Sequence, residues 1–178
     1  MVTSTRPMTL EEFLALPETE PATELIDGYP CQKPVGKLRH ARAILRLQVL
    51  LLQHPATASG LPLVELGSRY PATSAGNLRV PDLSFFLPGN DPGAEASYPA
   101  RAPDLAVEVR SEGQALHPLE GRLSFLREQG TSSTLLIDPE AKTVFVHDGQ
   151  RSWTASGNDV VTLEQHGGFS FPVGDLWK

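Results

Sequence analysis

The sequence predicts an α/β protein in which a mixed central sheet is flanked by helices, and three stretches carry that prediction. A strand-like run at 104–111, a helical run at 116–129 and a second strand-like run at 133–138 follow in order, a succession that suggests a parallel crossover. The next stretch, 138–155, turns at Asp138-Pro139-Glu140 and again at Asp148-Gly149, and reads as antiparallel ribbon. From Leu38 to Gln53 the apolar residues Ile44, Leu45, Leu47, Val49, Leu51 and Leu52 recur with helical spacing until Pro55.

The other elements follow from local chemistry. Thr9-Leu-Glu-Glu12 has the form of a capping box ahead of a short amphipathic helix that Pro17 ends. ATELIDGYPCQKP reads as a hairpin around Asp27-Gly28, with Pro30 and Pro34 marking an edge position. Runs at 63–70 and 79–87 are further strands joined by the turn-rich PATSAGN, and 88–103 is a long loop. The closing GGFSFPVGDLW packs Phe169, Phe171, Val173 and Trp177 by alternation.

At 178 residues the chain can bury a substantial core, and it is read as one domain over 1–178. It contains no apolar run long enough to span a bilayer and no signal-like N-terminus, so a cytoplasmic protein is expected. The lone Cys31 excludes an intramolecular disulfide and reads as a half-buried strand residue. A net charge of -6 argues against coating nucleic acid through bulk charge but leaves room for a local basic groove. Arg39, Arg42 and Arg46 share one helix face, with Lys37 and His40 beside them, which reads either as such a groove or as a solvated helix face paired with the chain's own carboxylates.

Two carboxylates occupy positions where Val, Leu or Phe would be expected. In PDLAVEVRS, Leu105, Val107 and Val109 share one face, leaving Ala106, Glu108 and Arg110 on the other. In RVPDLSFFL, Asp82 and Ser84 lie opposite Leu83 and Phe85. An ionised carboxylate so flanked is costly unless paired or bound to a cation, so adjacent strands would make a metal site. The plainer alternative pairs Asp82 with Arg79 and Glu108 with a basic neighbour.

ELIDG at 24–28, the helix-opening His40, RVPDLSF, PDLAVEVRS, LIDPEAKTVFVH and the terminal GGFSFPVGDLW, taken in this order, resemble the bacterial Uma2 family of endonucleases, within the restriction-endonuclease-like PD-(D/E)xK superfamily. The resemblance covers nearly the whole chain and implies a mixed sheet flanked by helices, holding a divalent metal where two central strands diverge. It implies Asp82 and Glu108 as metal ligands, the Val109 carbonyl as a third, Glu24 completing the site, and Mg²⁺ or Mn²⁺ as the ion. The superfamily lysine is replaced by arginine at both expected places, Arg110 and Arg122. Arg110 is the favoured stabilising cation because alternation puts it on the Glu108 face. DNA is the implied partner, met by Arg39, His40, Arg42 and Arg46. Two other readings stand beside this one: a catalytically inactive nucleic-acid or protein binding module, and an interaction protein that forms a homodimer through the Leu-rich helix.

Overall fold

The apolar runs divide between two principal sheets, and the chain passes from the large one to the small one at 65–67 and back at 80–82. The computed structural model describes residues 6–70, 76–93 and 97–178. In chain order the elements are α1 (Leu10–Leu14), β1 (Thr23–Ile26), β2 (Tyr29–Gln32), α2 (Leu38–Gln53), β3 (Leu61–Val64), β4 (Ser68–Arg69), β5 (Leu78–Arg79) and β6 (Leu83–Phe86). After these come β7 (Leu105–Val109), α3 (Leu116–Glu128), β8 (Ser133–Asp138), β9 (Thr143–Asp148), β10 (Arg151–Ser156), β11 (Val160–Leu163) and β12 (Phe169–Pro172), with single 3-10 turns at Glu164–His166 and Val173–Trp177. Parts of the expected turn and loop, at 71–75 and 94–96, fall outside the described residues, as does the start of the chain at 1–5.

The larger sheet has the order β10-β9-β8-β7-β6-β3, and only its β7–β8 pair is parallel. Helix α3 makes that crossover, as the strand, helix, strand succession suggests. Antiparallel β2-β1-β5-β4 form the smaller sheet, and β11 pairs with β12. In the β1–β2 hairpin Asp27 and Gly28 both have positive φ, 49° and 85°, so the two-residue turn matches the twist of its strands. A side chain at Gly28 would also meet the Pro7 Cβ at 2.8 Å.

The expected continuous strand over 79–87 is two strands in different sheets. Proline has no N–H for a ladder, and the chain leaves the small sheet after Arg79 and joins the large one at Leu83, with Val80-Pro81-Asp82 as the crossing. The run 63–70 breaks similarly at Glu65, whose φ is 51°, giving β3 and β4. Cys31 is exposed rather than half-buried, because β2 is an edge strand.

One face of the large sheet, through Leu83, Phe85, Leu105, Val107 and Val109, packs on Ala43, Ile44, Leu47 and Leu51 of α2 and on Phe169, Phe171, Val173 and Leu176. The opposite face, through Ala106 and Leu136, packs on Leu119, Leu123 and Leu126 of α3. Buried on both faces, β7 has no exposed residue, which is why its run is so apolar. No helix among the described residues is long and apolar enough to cross a membrane.

Helix α2 separates burial from composition sharply, since Leu47 is fully buried while Leu45, two residues away, is 57% exposed. Leu47→Ala should lower the unfolding free energy by about 2–5 kcal/mol, and Leu45→Ala should change it by less than about 0.5 kcal/mol. Urea titration of the two variants measures both.

Candidate active site

The β6–β7 register pairs Leu83 with Val107 and Ser84 with Ala106, so one step further brings Asp82 opposite Glu108. The Val109 N–H donates to Asp82 Oδ2 at 2.7 Å and locks that juxtaposition. Glu24 arrives from β1, beside the crossing, where its Oε1 accepts from the Val80 N–H at 2.7 Å. These three carboxylates, only 1%, 3% and 2% exposed for Glu24, Asp82 and Glu108, are gathered from three separate parts of the chain. Glu24, which a strand-start position would ordinarily leave in solvent, is thus as buried as the other two.

Burial of three acids demands counter-charge, and two cations supply it. Arg122 leans from α3 and donates from Nε to Glu108 Oε1 at 2.9 Å and from Nη2 to Glu24 Oε1 at 2.9 Å, with Nη1 on Glu24 Oε2. Lys33, just past β2, donates from Nζ to Asp82 Oδ1 and to the Val80 carbonyl, both at 2.7 Å. Arg122 Nη2 reaches the same carbonyl at 3.3 Å, so the two halves form one hydrogen-bonded cluster. On the remaining side His40, in the first turn of α2, donates from Nε2 to Asp82 Oδ2 at 3.1 Å.

Arg110 does not belong to this cluster. The strand ends at Val109, alternation no longer governs the next side chain, and the Arg110 guanidinium turns to Asp138 Oδ2 and the Gln114 carbonyl, each at 2.7 Å. The cation on the Glu108 face is Arg122, which reverses the preference drawn from alternation. Its signal was present in α3, because residue 122 falls on the apolar stripe of Leu119, Leu123 and Leu126. Arg79 also leaves Asp82 alone, since its guanidinium carbon stacks 4.3 Å above the Phe125 ring. Sequence reasoning missed Lys33 altogether; nothing in the exposed edge strand before it marks residue 33 as buried.

Electrostatics separate the two strand acids. Burial opposes charge on Asp82, but the His40 hydrogen bond and the Lys33 ammonium outweigh it and hold the carboxyl well below its ordinary value. Burial pushes the Glu108 carboxyl up to about 8, with Arg122 opposing and Asp82 reinforcing the shift. A protonated Glu108 still accepts from Arg122 through its carbonyl oxygen, so that contact survives either state. Lys33 loses solvation by burial, yet Asp82 and Glu108 raise it above the ordinary lysine value and keep it charged.

Among the described residues no three His, Cys, Asp or Glu side chains surround a single point as the ligands of one ion would. The carboxylate oxygens instead face Lys33 and Arg122. As a donor set, three carboxylates and a backbone carbonyl fit a hard divalent cation, which would take oxygens now held by these two side chains. Beside the cluster lies a cleft of about 380 Å³, walled by Lys37, Arg39 and His40 of the α2 start and by Arg110, Glu112 and Glu140 opposite. Arg39, Arg42 and Arg46 are all exposed on the outer face of α2, where Arg46 holds the Lys178 carbonyl.

Removing Arg122 leaves Glu24 and Glu108 buried without their cation. Arg122→Met should destabilise the fold by about 3–5 kcal/mol, and adding Glu24→Gln should recover part of that loss, as chemical denaturation would show. Two opposite pH effects are also expected in metal-free protein. Glu108, raised when folded, binds its proton more tightly folded than unfolded, so its contribution declines as pH climbs from its ordinary value of 4.5 to about 8. Asp82, depressed when folded, contributes fully above its ordinary value of 3.8 and loses that contribution below it. Thermal melts in EDTA should show a falling midpoint from mildly acid pH to pH 8, and Glu108→Gln should flatten that fall.

Comparison with known proteins identifies the family and the fold. Residues 10–174 match the model of the Uma2 family, described as "Putative restriction endonuclease". No curated protein matches. Among solved structures the fold is similar to that of a "putative nuclease belonging to DUF820" from Anabaena variabilis, at 28% identity and a TM-score of 0.85, over 96% of this chain and 98% of that one. A family match spanning nearly the whole chain, together with a restriction-endonuclease-like mixed sheet that gathers Glu24, Asp82 and Glu108, establishes that this chain belongs to the Uma2 family.

Proposed function

We propose that the chain is a divalent-metal-dependent endonuclease that hydrolyses phosphodiester bonds of DNA. The observation that carries this reading is the convergence of three buried carboxylates from β1, the sheet crossing and β7 on one cluster beside a basic helix. Asp82, Glu108 and the Val109 carbonyl would hold Mg²⁺ or Mn²⁺, with Glu24 completing the site. When bound, such an ion lowers the pKa of water and neutralises charge on the phosphate. Asp82 is kept ionised and aimed by the Val109 N–H and His40 on Oδ2, so only Lys33 would have to release Oδ1 for it to act as a ligand.

Exposed Arg39 and Arg42, with His40, would track the phosphate backbone along α2, and Arg46 would extend that track. Arg122, anchored on both Glu24 and Glu108, would orient the two acids and present positive charge toward the phosphate. Arg110 is assigned to the wall of the cleft through its pairing with Asp138, away from the reacting atoms.

A second reading, a nuclease fold that binds nucleic acid without cutting it, is favoured by the same Arg122 clamp, which already satisfies two of the three acids. Supercoiled plasmid with Mg²⁺ or Mn²⁺ separates the two. Turnover that vanishes in EDTA, in Asp82→Ala and in Glu108→Ala is the expected outcome, with losses of at least about 100-fold. Retarded plasmid migration with no nicking under any metal would establish the binding module instead.

A further inference from the structure

We propose that Lys33 is a catalytic residue of the site, its ammonium meeting the non-bridging oxygens of the scissile phosphate. This inference rests on the nuclease reading above. Lys33 follows an edge strand whose neighbours Cys31 and Gln32 are exposed, yet its own side chain is 6% exposed and points into the acid cluster. Burial of an ammonium is costly, and a buried ion pair adds little stability that an apolar pair of similar volume would not. The pair as a whole therefore gains the fold little over an apolar one, and what the lysine adds beyond neutralising Asp82 is a positive charge inside the site.

The contacts also distinguish Lys33 from the other cations. Arg122 is held by Glu24, Glu108 and the Val80 carbonyl through a planar fork, and Arg110 is engaged by Asp138 and Gln114. Lys33 has a single carboxylate partner, and its charge sits on a rotatable stem. Asp82 would not lose its orientation if Lys33 let go, because the Val109 N–H and His40 hold its other oxygen. The backbone beneath Lys33 is fixed by its own N–H on the Ala22 carbonyl at 2.9 Å, so only the side chain has to move.

In the step itself a water oxygen forms a bond to phosphorus and the electron pair of the breaking P–O bond leaves with the departing ester oxygen. One proton passes from the attacking water to solvent, and the departing oxygen takes one up from solvent. Lys33 remains an ammonium throughout and offsets charge gathering on the non-bridging oxygens by donating hydrogen bonds that the ground state makes less well.

The test combines plasmid cleavage with Mn²⁺ calorimetry on the full chain. Lys33→Met should lower kcat by about 100-fold or more with KM within about threefold, while Mn²⁺ binds at least as tightly, since a competing cation is gone. Lys33→Ala should regain cleavage as ethylammonium is added, a saturable rescue that a structural role does not produce. Cleavage by Lys33→Met within about threefold of wild type, or loss of Mn²⁺ binding together with cleavage, overturns the assignment. Should Lys33→Met fail to fold, Lys33→Arg decides: kcat down about tenfold with unchanged melting supports the role, and wild-type kcat removes it. A wild type that binds Mn²⁺ but cuts nothing defeats the nuclease reading itself and the catalytic role with it, whereas an active wild type with an equally active Lys33→Met defeats only the latter.

Discussion

The need to neutralise three carboxylates inside the protein is the constraint on which the rest of the site depends. Isolated charges are excluded from a protein interior, so Glu24, Asp82 and Glu108 can be buried together only if cations and backbone donors arrive with them. Arg122 spans two of the acids, Lys33 takes the third, and the Val80 and Val109 amides each satisfy one oxygen. Every element that touches the cluster is thereby held in register with the others: the β1–β2 hairpin through Glu24 and Lys33, α2 through His40, α3 through Arg122 and β7 through Glu108.

The sheet crossing makes this possible. Because Val80 lies in neither ladder, its backbone groups are free to bond side chains, and it offers its N–H to Glu24 and its carbonyl to Lys33 and Arg122. A proline in this place removes one ladder donor and fixes the change of direction. The acids therefore stand where two strands part rather than in the middle of a sheet, and His40, which holds Asp82, also lines the cleft at the α2 start.

The two cations differ in what they leave mobile. Arg122 is a rigid planar clamp that ties Glu24 to Glu108, and its own charge is reinforced by them. Lys33 is a point charge on a flexible stem. The two strand acids are likewise unequal: Asp82 is held ionised by donors, whereas Glu108, with less compensation for its burial, tends to keep a proton. Under the metal-dependent reading proposed above, an acid poised this way would give up its proton to a divalent ion, so that binding would release a proton.

Local pattern determined much of the protein. Helix α2 over Leu38–Gln53, the Asp27-Gly28 hairpin, the crossover through α3 and the β8 strand were all legible, because each rests on periodicity, turn chemistry or a handedness rule that acts within a few residues. Asp82 and Glu108 stood out for the same reason, as charges set into apolar alternation. What lay beyond reach was whatever depends on partners distant in the chain. The strand over 79–87 split because two sheets compete for it, Arg110 left the Glu108 face because the strand ends one residue earlier, and Cys31 is exposed because its strand has no outer neighbour. Lys33 lies 49 residues from Asp82 in sequence, and Arg122 lies 98 from Glu24. No local rule links such pairs; only tertiary packing decides which buried acid meets which cation, since the electrostatic cost of burial is settled in space and not along the chain.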